Sequence, residues 1–173
     1  MTEIMIRVAK LEDAALISVL ASATFYEAYF EQDESGNLAG YISEAFDVQK
    51  ITAELRDSNI TFLIISRAGK AAGYAKLVRN STLECIGGKK PVELKRLYIL
   101  ERVYGKGFGA RLLEHSLKLA ANEGFDRLWL QVWEENPRAR RFYAKYDFHV
   151  AGKVEMPYGD VIGVNLVLEK SLD

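Results

Sequence analysis

Apolar positions recur along this chain at two periods, and the changes from one to the other lay out its elements. Residues 3–9 alternate as a strand does, and Leu16, Leu20 and Ala23 then mark one face of a helix reaching to about Tyr29. The stretch Glu31 to Gly36 is acidic and turn-like. A second helical pattern begins at Asp47, a residue type suited to an N-cap, with Val48, Ile51, Thr52 and Leu55 at helical spacing. The β-branched, apolar run Thr61 to Ser66 predicts a buried strand, and Arg67-Ala68-Gly69-Lys70 a hairpin turn into a strand over 71–78. Past Gly87-Gly88 and Pro91, Val92 to Ile99 forms a further strand.

The second half alternates strand and helix more plainly. After a glycine-rich turn, Leu112, Leu113, Leu117 and Ala120 share one helix face, and Gly124 is placed to end that helix. Leu128 to Trp133 reads as a strand. Asn136 followed by Pro137 is a matched pair for a helix start, and Ala139, Phe142, Tyr143 and Tyr146 lie on one face of that helix. Two closing strands cover about 148–155 and 161–169. With no repeat, low-complexity tract or linker, the pattern predicts one α/β domain over residues 1–173 with a mixed sheet.

Composition narrows the class. Of 173 residues 49% are hydrophobic and 27% charged, enough for a substantial core and too apolar for a disordered chain. No apolar run approaches the roughly 20 residues of a membrane span, and the start Met-Thr-Glu lacks a basic region followed by an apolar one. Cys85 is the only cysteine, and His115 and His149 are the only histidines, so neither a disulfide framework nor a metal centre is expected. The expectation is a soluble cytoplasmic protein with no membrane partner.

Net charge is −1, but it is unevenly spread. Glu27 to Asp57 holds eight acids against two bases, a net of −6, whereas Gly87 to Arg111 holds seven bases against two acids, a net of +5. Two explanations stand: solvated faces, or a cationic ligand near the first segment and an anionic one near the second. Neither resembles the basic footprint of a nucleic-acid binder.

The turn Tyr104-Gly105-Lys106-Gly107-Phe108-Gly109 lies between a strand and an amphipathic helix. Glycines let successive backbone N–H groups converge, and the helix dipole adds positive charge there, so the turn suits a phosphate. A bare tight turn is the alternative. The spacing matches neither the three-glycine dinucleotide fingerprint nor the phosphate loop ending in Gly-Lys-Ser/Thr.

At this point the residues resemble a family. ELKRLYILERVYGKGFGARLLEHSLKLA is similar to the central motif of the GNAT superfamily of N-acetyltransferases, a strand leading to Arg/Gln-x-x-Gly-x-Gly/Ala. ENPRARRFYAKYDF resembles that family's next motif: an Asn, an Ala, Phe-Tyr, then a basic residue. The resemblance implies a mixed, mostly antiparallel sheet of about seven strands flanked by about four helices. It implies that acetyl-CoA is the co-substrate, with no metal. The backbone N–H groups of Tyr104, Gly105, Lys106, Gly107, Phe108, Gly109 and Ala110 would bind the pyrophosphate. Leu97, Tyr98 and Ile99 would pair with the pantetheine arm like an added strand, the Ile99 N–H lying near the thioester carbonyl. Asn136, with Arg138 and Ala139, would contact the arm, and Tyr143 would protonate the departing thiolate unless it is simply a packed phenol. Two positions depart from the pattern. Tyr104 stands where Arg or Gln is usual, and Asp147 where a Gly commonly precedes the Phe; Asp tolerates a left-handed backbone.

An ammonium ion must lose a proton before it attacks. Glu93, on the same side of its strand as Lys95, Leu97 and Ile99, is a candidate base, the alternative being a pair with Lys95 or Arg96. The chain further resembles bacterial polyamine acetyltransferases in RLYIL, WLQVWEENPRARRFY, TFYEAY and the stretch Leu38 to Phe46. That likeness implies a small-molecule amine acceptor drawn to Glu31 and Glu34, flanked by Tyr26 and Tyr29, with Tyr158 in a loop over 155–160 as another wall. An acceptor lysine or N-terminus on a protein, or a CoA-binding sensor without catalysis, are the rival readings. Exposed strand edges are compatible with a homodimer.

Overall fold

A computed structural model describes residues 3–158 and 161–172. Among them are seven strands and five α-helices: β1 (Ile4–Val8), α1 (Ala14–Tyr29), α2 (Ser35–Ala45), α3 (Val48–Arg56), β2 (Ile60–Arg67), β3 (Lys70–Val78), β4 (Pro91–Ile99), α4 (Phe108–Asn122), β5 (Arg127–Trp133), α5 (Pro137–Ala144), β6 (His149–Tyr158) and β7 (Val161–Ser171). Single 3-10 turns lie at Leu11–Asp13 and Glu101–Val103. The strands follow the order β1-β2-β3-β4-β5-β7-β6 in one mostly antiparallel sheet, with β4 and β5 parallel. The mixed α/β class read from the sequence is the one observed. No helix among the described residues is long and apolar enough to cross a membrane.

The chain divides into two compact units, one built from the residues up to Leu77 with Arg96–Ser116, the other from Val78–Lys95 with Leu117 onward. In the first, α1 buries Ala14, Ile17, Leu20, Ala21, Thr24 and Phe25, an i, i+3, i+4, i+7 stripe. That stripe runs through Ile17, while Leu16, expected on it, is 37% exposed. The core adds Leu38 of α2, Ile51 of α3, Phe62 and Ile64 of β2, and Tyr74 of β3. The Asp47 carboxylate accepts from the N–H groups of Gln49 and Lys50 and starts α3 as expected. The helix α2 was not expected, and it accounts for the difference from the four helices read in the sequence. Its stripe is Leu38, Tyr41, Ile42 and Ala45, at i, i+3, i+4 and i+7 and packed on the core, but Gly36 and Gly40 beside the acidic stretch before it read as a loop.

At the start of this unit both Asp13 oxygens accept from the Arg7 guanidinium at 2.7 Å, and the Lys10 N–H adds a third hydrogen bond at 2.7 Å. The Arg7 hydrogen bond, followed by the Lys10 N–H, outweighs burial and holds the Asp13 carboxyl down at about 2. A depressed carboxyl contributes stability above its unfolded value, and that contribution is lost as pH falls through the folded value. Arg7→Met is therefore expected to cost about 1 kcal/mol at neutral pH, roughly 2–4 °C in Tm. The deficit should fade between about pH 4 and pH 2 in denaturation measured across that range; a pH-independent deficit would point to lost packing instead.

In the second unit β5 pairs with β7 over its whole length, and β7 with β6 across a register shift between Val150 and Gly152. Leu128, Trp129, Leu130, Leu166, Val167 and Leu168 supply the core. Gly124 ends α4 as expected, its N–H reaching the Ala121 carbonyl at 2.9 Å. The loop expected over 155–160 is corrected: Glu155 through Tyr158 continue β6, because their backbones pair with β7 from Val164 to Val161. Gly159 and Asp160 lie outside the described residues, as does the Tyr158 side chain.

Candidate active site

The glycine turn belongs to the first unit. The 3-10 turn preceding it is anchored by α1, since the Glu27 carboxylate accepts from the Glu101 N–H at 2.9 Å. The Tyr104 N–H donates to the Glu101 carbonyl at 2.9 Å and the Lys106 N–H to the Val103 carbonyl at 3.4 Å. These two N–H groups of the expected cradle are thus already occupied within the turn. The Lys106 amine reaches back to the Arg102 carbonyl at 2.9 Å. The backbone then turns left-handed at Gly105 (φ 73°) and Gly107 (φ 80°). The Gly107 carbonyl accepts from the Arg111 N–H at 3.1 Å, which opens α4. The N–H groups of Phe108, Gly109 and Ala110 head that helix, where no preceding turn of helix offers them carbonyls. They face outward at its positive end. A Cβ built on Gly105 or Gly107 meets no atom within 4 Å, so the space over the turn is open. Donors, dipole and space together fit an anion such as a pyrophosphate.

β4 leads into this turn and presents a backbone edge. The Leu100 N–H donates to the Ala72 carbonyl at 2.9 Å, toward β3. The Tyr98 carbonyl also faces β3, where a Cβ on Gly73 would lie 2.5 Å from it. Backbone groups alternate along a strand, so those of Leu97 and Ile99 point the other way. The register of β4 with β5 covers Pro91, Val92 and Glu93 alone, leaving Leu97 and Ile99 outside it. Tyr98 does not join them. Its phenol is hydrogen-bonded to Tyr29 and pushed well up, chiefly by burial, and its ring lies 6.2 Å from Tyr74 and 6.3 Å from Phe25.

In the second unit Asn136 Oδ1 accepts from the Ala139 N–H at 3.0 Å and caps α5 as its sequence predicts. The Ala139 N–H is therefore occupied, whereas the Asn136 amide nitrogen is not used by the cap. Arg138 is exposed on the first turn of α5. Tyr143 is 8% exposed, with the Phe148 ring at 5.4 Å and the Phe142 ring at 5.1 Å, and burial raises its phenol above the usual tyrosine range. Asp147 adopts the left-handed conformation expected of it, at φ 61°. Glu93 is 3% exposed, and its carboxylate accepts from Ser81 Oγ at 2.6 Å and Lys95 Nζ at 3.2 Å. The pairing with Lys95 weighed in the sequence is present, and the burial is deeper than alternation alone predicts.

The expected acceptor residues separate into two groups. Tyr26 hydrogen-bonds Ser35 Oγ at 3.2 Å and, with Glu31 and Glu34, is exposed around the turn from α1 to α2. Tyr29 instead packs its ring 4.5 Å from Phe25, within the core cluster. Sequence reasoning weighed Arg96 only as a partner of Glu93 and gave it no place of its own. Its guanidinium sits 4.6 Å over Phe46 and donates to the Tyr41 hydroxyl at 3.2 Å, while the nearby buried Tyr74 hydroxyl has no hydrogen-bond partner among the described residues. Alternation puts Arg96 on the β4 face opposite Glu93, the single local signal of its surroundings.

A family model described as "Acetyltransferase (GNAT) family" matches residues 22–148. An uncharacterized N-acetyltransferase of Mycobacterium tuberculosis is 32% identical over 142 residues, covering 82% of this chain and 86% of that one. An uncharacterized N-acetyltransferase of Bacillus subtilis is 30% identical over 138 residues, covering 80% and 85%. Among solved structures, the PaiA N-acetyltransferase of Thermoplasma acidophilum in complex with coenzyme A superposes with a TM-score of 0.80 at 23% identity, covering 98% of this chain and 99% of that one. At that identity the superposition speaks for the fold alone.

Proposed function

This chain belongs to the acetyltransferase (GNAT) family and is an N-acetyltransferase, and on that premise we propose that it moves an acetyl group from acetyl-CoA directly to a primary amine of a small molecule, the whole chain serving as one acyltransferase domain. The observation that carries the cofactor reading is the start of α4, where the N–H groups of Phe108, Gly109 and Ala110 head the helix beside open space at Gly105 and Gly107. Acetyl-CoA, when bound, supplies the acetyl group already activated as a thioester. Those three N–H groups hold the pyrophosphate, and the outward backbone edge of Leu97 and Ile99 takes the pantetheine arm. The Ile99 N–H is the donor for charge developing on the acyl oxygen. In the second unit, the Asn136 amide nitrogen and Arg138 are the cofactor contacts of this proposal. Glu93 takes the proton of the acceptor ammonium, and the Tyr143 hydroxyl gives one to the sulfur.

For the acceptor we assign a polyamine. The support is that Tyr26, Glu31 and Glu34 are all exposed around the turn from α1 to α2, residue types that suit a cation on a methylene chain. The acid excess of Glu27 to Asp57 contributes less than its count implies. Glu27 caps the Glu101 turn, Asp47 caps α3, and Glu54 pairs with Lys76 at 2.7 Å. The test is thiol release from acetyl-CoA over a panel of amines. Spermidine and spermine are expected to exceed propylamine by about tenfold or more in kcat/KM, with the advantage falling as salt rises. Release stimulated only by peptide amines would replace the polyamine with a protein acceptor. Tight CoA binding with no amine-dependent release would overturn the enzymatic reading.

A further inference from the structure

Glu93 is held by a residue that lies in none of the sequence motifs. Ser81 follows β3, and its hydroxyl donates to Glu93 Oε2 at 2.6 Å, a short hydrogen bond. Ser81 is itself fixed, because its carbonyl accepts from the Trp129 indole N–H at 3.1 Å. Trp129 is 1% exposed on β5 and stands directly opposite Glu93 in the β4–β5 register. The three residues close a ring: strand pairing places Trp129 by Glu93, the indole holds Ser81, and Ser81 holds the carboxylate. All three belong to the second unit.

The two carboxylate oxygens are held differently. Oε1 accepts from Lys95 Nζ at the longer distance of 3.2 Å, and the Lys95 side chain is 46% exposed. Among the described residues, Ser81 and Lys95 are the hydrogen-bonding partners of Glu93. The neighbouring charges on the packed elements are engaged elsewhere or face other groups: Arg79 pairs with Glu123 at 2.7 Å, and Arg127 lies with Glu169 around Gly87.

We propose that Ser81 is a positioning residue for Glu93, its hydroxyl holding Oε2 so that Oε1 is turned to receive the acceptor's proton. The inference rests on the reading of Glu93 as the base. In the step, the N–H bond of the acceptor ammonium breaks, its electron pair stays on nitrogen, and the proton passes to Oε1 directly or through water. Lys95, on an exposed and flexible chain, gives way, whereas Ser81 keeps Oε2 engaged throughout.

The test uses the full chain with Ser81→Ala, Ser81→Thr and Glu93→Gln, read by the pH profile of kcat/KM and by the carboxyl carbon-13 resonance of Glu93. That resonance is assigned by its disappearance in Glu93→Gln. Ser81→Ala is expected to move the Glu93 resonance and to shift the acid limb of kcat/KM upward by about one pH unit, with activity recovering toward wild type at high pH. Ser81→Thr, which keeps the hydroxyl, should restore both. If Ser81→Ala does not fold, Ser81→Cys, a weaker donor of similar size, should give a smaller change in the same direction. An unmoved resonance or an unmoved acid limb in a folded variant overturns the proposal. Should the resonance move while Glu93→Gln leaves the profile intact, the base reading fails and the catalytic role of Ser81 fails with it.

Discussion

Tyr143→Phe is expected to lower kcat by about a hundredfold while leaving the KM for acetyl-CoA within roughly threefold. The change removes one oxygen and leaves a ring that packs against Phe148 at 5.4 Å, so Tm should stay within a degree or two of wild type. Burial raises the phenol above the ordinary tyrosine range, which keeps it neutral at every pH an assay would use. A neutral phenol always has its proton to give. The raised value also makes full transfer to sulfur less favourable, so in the proposed role the hydroxyl would donate as charge builds on the thiolate. An alkaline fall in wild-type activity below about pH 10 therefore belongs to another group. Steady-state kinetics and thermal melts on the same preparation check the prediction. A variant with wild-type kcat would reduce Tyr143 to a packing residue and leave the thiolate to water.

Residues whose role is set by neighbours in the chain were legible. Asp47, Gly124, Asn136-Pro137 and Asp147 each answer a local backbone demand, a cap or a left-handed turn, and each stands where its type predicts. The glycine turn was legible for the same reason. The helix α2 was not: its stripe of Leu38, Tyr41, Ile42 and Ala45 has helical spacing, but two glycines next to an acidic, turn-like stretch signal a loop instead. On α1, Leu16 and Ile17 are both apolar, and only packing decides which one faces the core.

The candidate site was less legible where its residues depend on distant ones. Charge counting cannot see that Glu27 caps a turn or that Glu54 meets Lys76. Alternation gives the side of β4 on which Glu93 lies but not its depth, and it gives no hint of Ser81, whose bond to Glu93 spans two elements. Tyr98 shows the converse. It sits between Leu97 and Ile99 in the motif, yet period two turns its backbone toward β3 and its side chain toward Tyr29. A contiguous motif thus mixes residues with a backbone edge turned away from β3 with a residue whose side chain faces the core.

Gly107→Val should raise the KM for acetyl-CoA by about tenfold to a hundredfold, the loss expected for one charge-assisted hydrogen bond to phosphate. Gly107 holds φ at 80°, a conformation that costs an L-residue about 1–2 kcal/mol and a β-branched one more. Relieving that strain rotates the peptide joining Gly107 to Phe108, which carries both the carbonyl that opens α4 and the first outward N–H. Valine also projects into the open space over the turn, where the phosphate is proposed to lie. Strain alone lowers stability, so a matched control is needed. Asp147→Val forces the same kind of left-handed strain at φ 61°, in the other unit, on a side chain that is 90% exposed. Both variants should lose several degrees in Tm, roughly 2–4 °C for each kcal/mol, but only Gly107→Val should weaken acetyl-CoA. Equal KM values in the two folded variants would take the pyrophosphate away from the Gly105–Gly109 turn.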